Sequence, residues 1–141
     1  MGRTSRAELS KDNPYYISKE RRLELEHFCH QYKEWEKEIK ELNYISGLMI
    51  KERVQGGKVV NTVEDRALRL ASLTRRLQIV NKAIDEAVDC KELRSYIFES
   101  VINGYSYKTM RGDLRDPIPS GEKLFKNYRQ RFYYILDGLR E

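Results

Sequence analysis

A chain of 141 residues has room for one domain, with or without a helical appendage, and for a modest core that needs no disulfide or metal staple. Hydrophobic residues make up 40% and charged residues 35%, the balance of a globular chain with a large solvated surface. The formal charge of +5 admits a polyanionic partner without requiring one, so the distribution of charge has to decide.

With only three prolines and eight glycines, long stretches run without a breaker, and helices are the element that uses them. Cys29 and Cys90 stand alone, without the short spacing of a zinc site or the density of a disulfide scaffold. They are expected to be free thiols in a reducing cytoplasm. Met1–Ser10 is polar with no apolar run, so no signal peptide is expected. No stretch approaches the roughly 18 apolar residues of a membrane span, and no membrane association is expected.

Residues 1–17 read as a polar N-terminal tail, with Asn13-Pro14 as a breaker and Tyr15, Tyr16 and Ile17 as a docking patch. Ser18 is a suitable N-cap, and Glu20 suits the first turn beyond it. From there Leu25, Phe28, Tyr32, Trp35, Ile39 and Leu42 alternate spacings of three and four, a heptad seam flanked by charged residues. Asn43 to Asn61 is less regular. Ile45, Leu48, Met49 and Ile50 suit a short helix or an extended cover, Gly56-Gly57 a turn, and Val59-Val60 a brief extended piece. Thr62 opens a second long helix, in which Val63, Leu70, Leu73, Leu77, Val80, Ile84 and Ala87 resume the rhythm. Residues 18–90 therefore predict a helical hairpin or coiled-coil region. Its seams can close within one chain or between copies, and a homo-oligomer is expected.

Beyond Asp89 the elements shorten. Asp89 is the expected cap of a helix with Leu93, Tyr96, Ile97, Val101 and Ile102 on its apolar side and Gly104 at its C-terminal end. Ser106 caps a brief helix through Met110, Gly112 stops it, and Asp113–Pro119 is a loop. Ser120 caps a last helix to about Leu139. Residues 91–141 thus predict a helix-turn-helix region, and the fold class is all-α: two long heptad-patterned helices, then a three-helix C-terminal unit.

On a wheel of about 100° per residue, Leu124, Phe132, Ile135 and Leu139 cluster around Tyr128, with Phe125 and Leu136 slightly further round. That stripe is expected to be buried. The opposite face then holds Lys123, Lys126, Gln130 and Tyr133, flanked by Asn127, Arg129 and Tyr134. Between Lys108 and Tyr134 there are seven Lys/Arg against three Asp/Glu, whereas Lys19–Leu42 is nearly balanced. Arg and Lys suit guanine edges and phosphates, Asn and Gln suit adenine, and tyrosine hydroxyls reach phosphates. Double-stranded DNA is the expected partner. The candidate contacts are Lys108, Arg111, Arg115, Ser120, Lys123, Lys126, Asn127, Arg129, Gln130, Arg131, Tyr133 and Tyr134, with Lys126 and Gln130 as the leading base-reading pair.

The segment from Leu93, "LRSYIFESVINGYSYKTMRGDLRDPIPSGEKLFKNYRQRFYYILDGL", resembles the C-terminal region of sigma factors and sigma-like phage regulators. The resemblance is carried by the Asn103-Gly104-Tyr105-Ser106-Tyr107 turn and by the Ser-led, basic, aromatic stretch Ser120 to Tyr134. With "NPYYIS" near the start and "YRQRFYYIL" near the end, the chain is similar to late-gene transcription activators of Gram-positive phages, the RinA and ArpU group. The resemblance implies a phage- or prophage-encoded cytoplasmic regulator of transcription with RNA polymerase as a further partner. Arg111 to Pro119 is longer than the usual turn before a recognition helix.

Catalytic chemistry is not expected. His27 and His30, with Glu26 and Glu34, are spaced for metal binding, but no further ligand set accompanies them, and neither metal nor cofactor is expected. Gly56-Gly57 lacks the Lys-Ser/Thr of a phosphate loop. Trp35 lies on a seam and is expected in the core. The leading reading is a sequence-specific DNA-binding transcriptional regulator. A small terminase-like DNA-packaging subunit, marked by a ring of many copies, and a non-catalytic inhibitor docking on a host complex are the alternatives.

Overall fold

In the computed structural model, residues 12–52, 60–113 and 118–140 are described, with side chains at 12–45, 63–110 and 118–140. Among them every regular element is a helix: α1 (Lys19–His30), α2 (Tyr32–Glu52), α3 (Val60–Ala87), α4 (Lys91–Asn103), α5 (Tyr107–Asp113) and α6 (Glu122–Arg140). The expected turn at Gly56-Gly57 lies outside the described residues, and Val60 begins α3. None of these helices is long and apolar enough to cross a membrane.

Several start and stop signals act as the residue types dictate. Asn13 makes a local turn, its side-chain oxygen accepting from the Tyr15 amide at 2.9 Å and its carbonyl from the Tyr16 amide at 3.0 Å. Ser18 caps α1, its Oγ accepting from the Arg21 amide at 3.3 Å. Ser106 does the same for α5, accepting from the Thr109 amide at 3.1 Å. Other boundaries differ from expectation. The residue ahead of α4 is Cys90, which makes no capping bond with its side chain, while Asp89 accepts from the Tyr128 hydroxyl at 2.7 Å. Gly112 falls within α5. Gly121, not Ser120, stands at the cap of α6, since its carbonyl accepts from the Phe125 amide; Ser120 Oγ donates to that same carbonyl.

The long first seam is broken. Gln31 ends α1 with its amide donating to the Phe28 carbonyl at 3.3 Å, a tightened last turn, and α2 starts afresh at Tyr32. α2 then continues through the irregular stretch to Glu52.

The break coincides with a division of the chain into two compact units, one comprising Met1–Gln31 and Ile79–Glu141, the other Tyr32–Gln78. This differs from the expected partition at residues 17 and 90. In the first unit α1 packs against α4 and α6, α4 packs on α6, and α5 rests against both. Leu25 and Cys29 of α1, Val80 and Ile84 of α3, Leu93, Ile97 and Val101 of α4, and Phe125, Phe132 and Leu136 of α6 are all buried. The apolar side of α1 is thus covered by the C-terminal helices, because Leu25 and Cys29 share one face and need a partner surface.

The other unit holds α2 and the first part of α3. Arg69 makes a two-pronged pair with Glu38, at 2.6 and 3.1 Å, and the Arg76 guanidinium lies 5.6 Å from the Trp35 ring centre. As one index rises the other falls, so these contacts run in antiparallel order. The bonds from Arg69 hold the Glu38 carboxyl below its usual range.

Gly104 closes α4 in the left-handed conformation, φ 72°, donating to the Ser100 carbonyl at 2.9 Å. A Cβ there would meet the His30 imidazole at 3.1 Å. Gly104→Ala is expected to lower stability by about 1–2 kcal/mol, chiefly through the left-handed backbone. Urea denaturation checks this, and adding His30→Ala should recover only a small part, because His30 is exposed and its ring can move aside.

Candidate nucleic-acid interface

Burial on α6 runs along Phe125, Phe132, Tyr133 and Leu136 and takes in Gln130. Leu124, by contrast, is 47% exposed, and Tyr128, Ile135 and Leu139 are only half-buried. The inward stripe is therefore turned by roughly a quarter of the helix circumference from the one expected around Tyr128.

The reason lies in α1 and the segment before it. Arg22 is buried, 3% exposed, with its guanidinium 4.2 Å from the Tyr133 ring centre and its Nε 3.0 Å from a Glu26 carboxylate oxygen. Its Nη1 donates to Gln130 Oε1. The Gln130 amide in turn donates to the Tyr15 carbonyl at 2.6 Å. Gln130 is thereby 2% exposed, and both ends of its amide have partners. Tyr133 is 3% exposed, and burial drives its phenol pKa far up. Two expected contacts, Gln130 and Tyr133, are corrected by this arrangement: they join α6 to α1 and to Tyr15, and as placed they cannot reach a base.

The other candidates separate by face. Lys126 turns toward Glu122, pairing at 3.2 Å, and Arg129 Nη1 donates to Ser100 Oγ at 3.4 Å. Both line a polar cleft together with Lys108, on the side of α6 that faces α1 and α5. Ser120 is half-buried; its carbonyl accepts from the Tyr107 hydroxyl at 2.8 Å, which ties α5 to the start of α6. Arg111 and Arg115 have side chains outside the described residues.

What remains outward on α6 is Lys123, Asn127, Arg131 and Tyr134, with Leu124 beside them. Lys123, Asn127 and Tyr134 are exposed; Arg131 is half-buried, its guanidinium 5.9 Å from the Tyr15 ring centre. Tyr15 meets the Tyr134 ring edge-on at 5.5 Å, so the N-terminal segment braces this face. The carboxylates of α6 lie elsewhere, Glu122 with Lys126 and Asp137 with Arg21. The outward strip itself carries no acidic residue.

Arg22 was not among the expected site residues, Tyr15 was expected only in a docking patch of the tail, and Glu26 only beside the histidines. Arg22 did leave a sequence signal: it shares a helix face with Leu25 and Cys29, and a charge on an apolar face calls for a buried partner. Nothing in the spacing identifies that partner as Gln130.

Both cysteines are free thiols, Cys29 buried and Cys90 half-buried. Cys29 is buried, which pushes its pKa far above the ordinary range and disfavours the thiolate. Cys90 Sγ donates to a Glu92 carboxylate oxygen at 3.2 Å. Among the described residues no group of three or more His, Cys, Asp or Glu is placed to hold a metal ion. Comparison with protein-family models, curated proteins and solved structures finds no match.

Proposed function

We propose that this protein binds duplex DNA through the outward strip of α6, and that it acts as a regulator of transcription of the kind its C-terminal segment resembles. The observation that carries the reading is the strip of Lys123, Asn127, Arg131 and Tyr134, free of carboxylates, on the last helix of a helix–turn–helix–loop–helix order. Lys123 and Tyr134 are eleven positions apart, about 16 Å of helix at 1.5 Å per residue, a length that a major groove accommodates. Lys123 and Arg131 suit phosphates or guanine, Asn127 suits adenine, and the Tyr134 hydroxyl suits a phosphate. Placing a helix face without acidic groups against a polyanion avoids like-charge repulsion and releases counterions.

The antiparallel order of the Arg69–Glu38 and Arg76–Trp35 contacts supports reading α2 and α3 as a hairpin arm. Tyr44 and Leu68, each 70% exposed on that arm, are the apolar surface by which copies of the chain would associate or by which it would meet RNA polymerase.

Fluorescence anisotropy with duplex fragments over a range of salt tests the proposal. Asn127→Ala and Arg131→Ala are each expected to weaken binding to a preferred fragment by about 1–3 kcal/mol, and Lys123→Ala to reduce the salt slope by about one. Binding that is indifferent to all three substitutions, with folding intact, would remove α6 as the reading element.

A further inference from the structure

We propose that the cleft on the inner side of α6 is a binding site for a small phosphate-bearing molecule of nucleotide size, separate from the outward strip. The cleft has a volume of about 630 Å³, within the roughly 300–1,000 Å³ of small-molecule sites. It lies wholly within the unit formed by α1, α4, α5 and α6. Its ionic lining is Arg22, Lys108, Lys126 and Arg129 against Glu26 and Glu122, with His30 at the α1 side. Glu26 is engaged by Arg22 at 3.0 Å and Glu122 by Lys126 at 3.2 Å, so each carboxylate offsets one cation and the lining as a whole remains positive. That excess is gathered in a concave, partly desolvated place, where it acts more strongly on an anion than it would on an open surface.

The rest of the lining suits an ester more than a simple ion. Ser106 and Thr109 bring hydroxyl groups to the α5 side, and their oxygens lie 2.9 Å apart. Tyr105, next to the glycine that ends α4, is 45% exposed and offers a ring face on which a base or sugar can rest. Gly104 lets the turn come close to His30 and keeps that wall free of a side chain.

The two faces of α6 are separable because their residues do not overlap. Lys108, Lys126 and Glu122 belong to the cleft, and Lys123, Asn127 and Arg131 to the strip. The cleft proposal therefore stands or falls independently of DNA binding.

Isothermal titration of the full chain with inorganic phosphate, adenosine monophosphate and adenosine tests it, each variant being checked for an unchanged melting curve. Phosphate-bearing probes should bind and adenosine should not, with the nucleotide tighter than free phosphate. Lys108→Ala and Lys126→Ala are expected to weaken that binding about five- to tenfold each, and Glu122→Gln to tighten it by a similar factor. Lys123→Ala should leave it unchanged. The proposal is overturned by equal weakening from Lys123→Ala, which marks general charge, or by Glu122→Gln having no effect. Absence of heat from both phosphate probes at concentrations on the order of millimolar also overturns it, whether or not duplex DNA binds.

Discussion

Alanine at Phe132 is expected to lower stability by about 3–5 kcal/mol, the largest effect of any single substitution considered for this chain. Phe132 has no exposed surface and sits with Phe125 and Leu136 on the face of α6 that α1 and α4 cover. Its ring also meets that of Tyr133 at 5.1 Å. Removing it takes away transfer free energy and leaves a void in a core whose neighbours belong to different helices, so collapse around the gap is limited. Against a total stability of about 5–15 kcal/mol for a domain, such a loss is a substantial fraction. The control is Leu124→Ala. If the buried stripe were centred on Tyr128, both substitutions would be severe. With Leu124 at 47% exposure, its replacement is expected to cost under about 1 kcal/mol. Denaturant midpoints of the two variants, compared at constant m value, decide which face of α6 is inside.

Replacing Arg22 with alanine is expected to cost about 2–4 kcal/mol. Gln130 Oε1 loses its donor in a place that water does not reach, and Tyr133 loses the cation over its ring. Glu26 is left without the Arg22 guanidinium, but its side chain is 27% exposed and can be partly rehydrated, which keeps the effect below that of a fully buried pair. The companion variant Gln130→Leu deprives the Arg22 Nη1 and the Tyr15 carbonyl of one partner each, and about 1–3 kcal/mol is expected. Its readout also separates the two roles this glutamine has been given. A base-reading glutamine would lower DNA affinity with the melting temperature unchanged, whereas the structural one lowers the melting temperature and leaves the affinity of the folded protein in place. A destabilised Gln130→Leu with intact DNA affinity would support the rotated face of α6; the reverse result would restore the face first expected.

Much of the helical content was legible because its signals are local. Ser18, Ser106 and Gly104 act within one turn of themselves, and the apolar rhythm of Leu73, Val80, Ile84 and Ala87 follows one helix. The break at Gln31 was not legible: glutamine is a good helix former, neither Pro nor Gly is near, and the heptad spacing from Phe28 to Tyr32 continues straight across it. The orientation of α6 escaped for a different reason. Apolar residues occupy more than half of its circumference, and Leu124, Tyr128 and Ile135 make as good a stripe as Phe125, Phe132 and Leu136. The choice between them is made by Arg22, which is distant in the chain and offers Gln130 and Tyr133 partners that only the folded arrangement reveals. Of the expected contacts, Lys123, Asn127 and Tyr134 stay exposed because they lie on the flank that both readings leave to solvent, whereas Arg131 is half-buried and lies next to Leu124 on the helix circumference.

The unit bearing the candidate interface draws its first described helix from one end of the chain and its last from the other, with Tyr32–Gln78 assigned elsewhere. During synthesis α1 therefore leaves the ribosome long before α6 exists, and the apolar side of Leu25 and Cys29 must wait for its cover. Joining the two requires closing a long loop whose entropic penalty grows only slowly with length, so the delay is set by translation more than by thermodynamics. A nascent chain that stops short of Phe125 lacks the Gln130 partner of Arg22 as well as the α6 cover of Leu25.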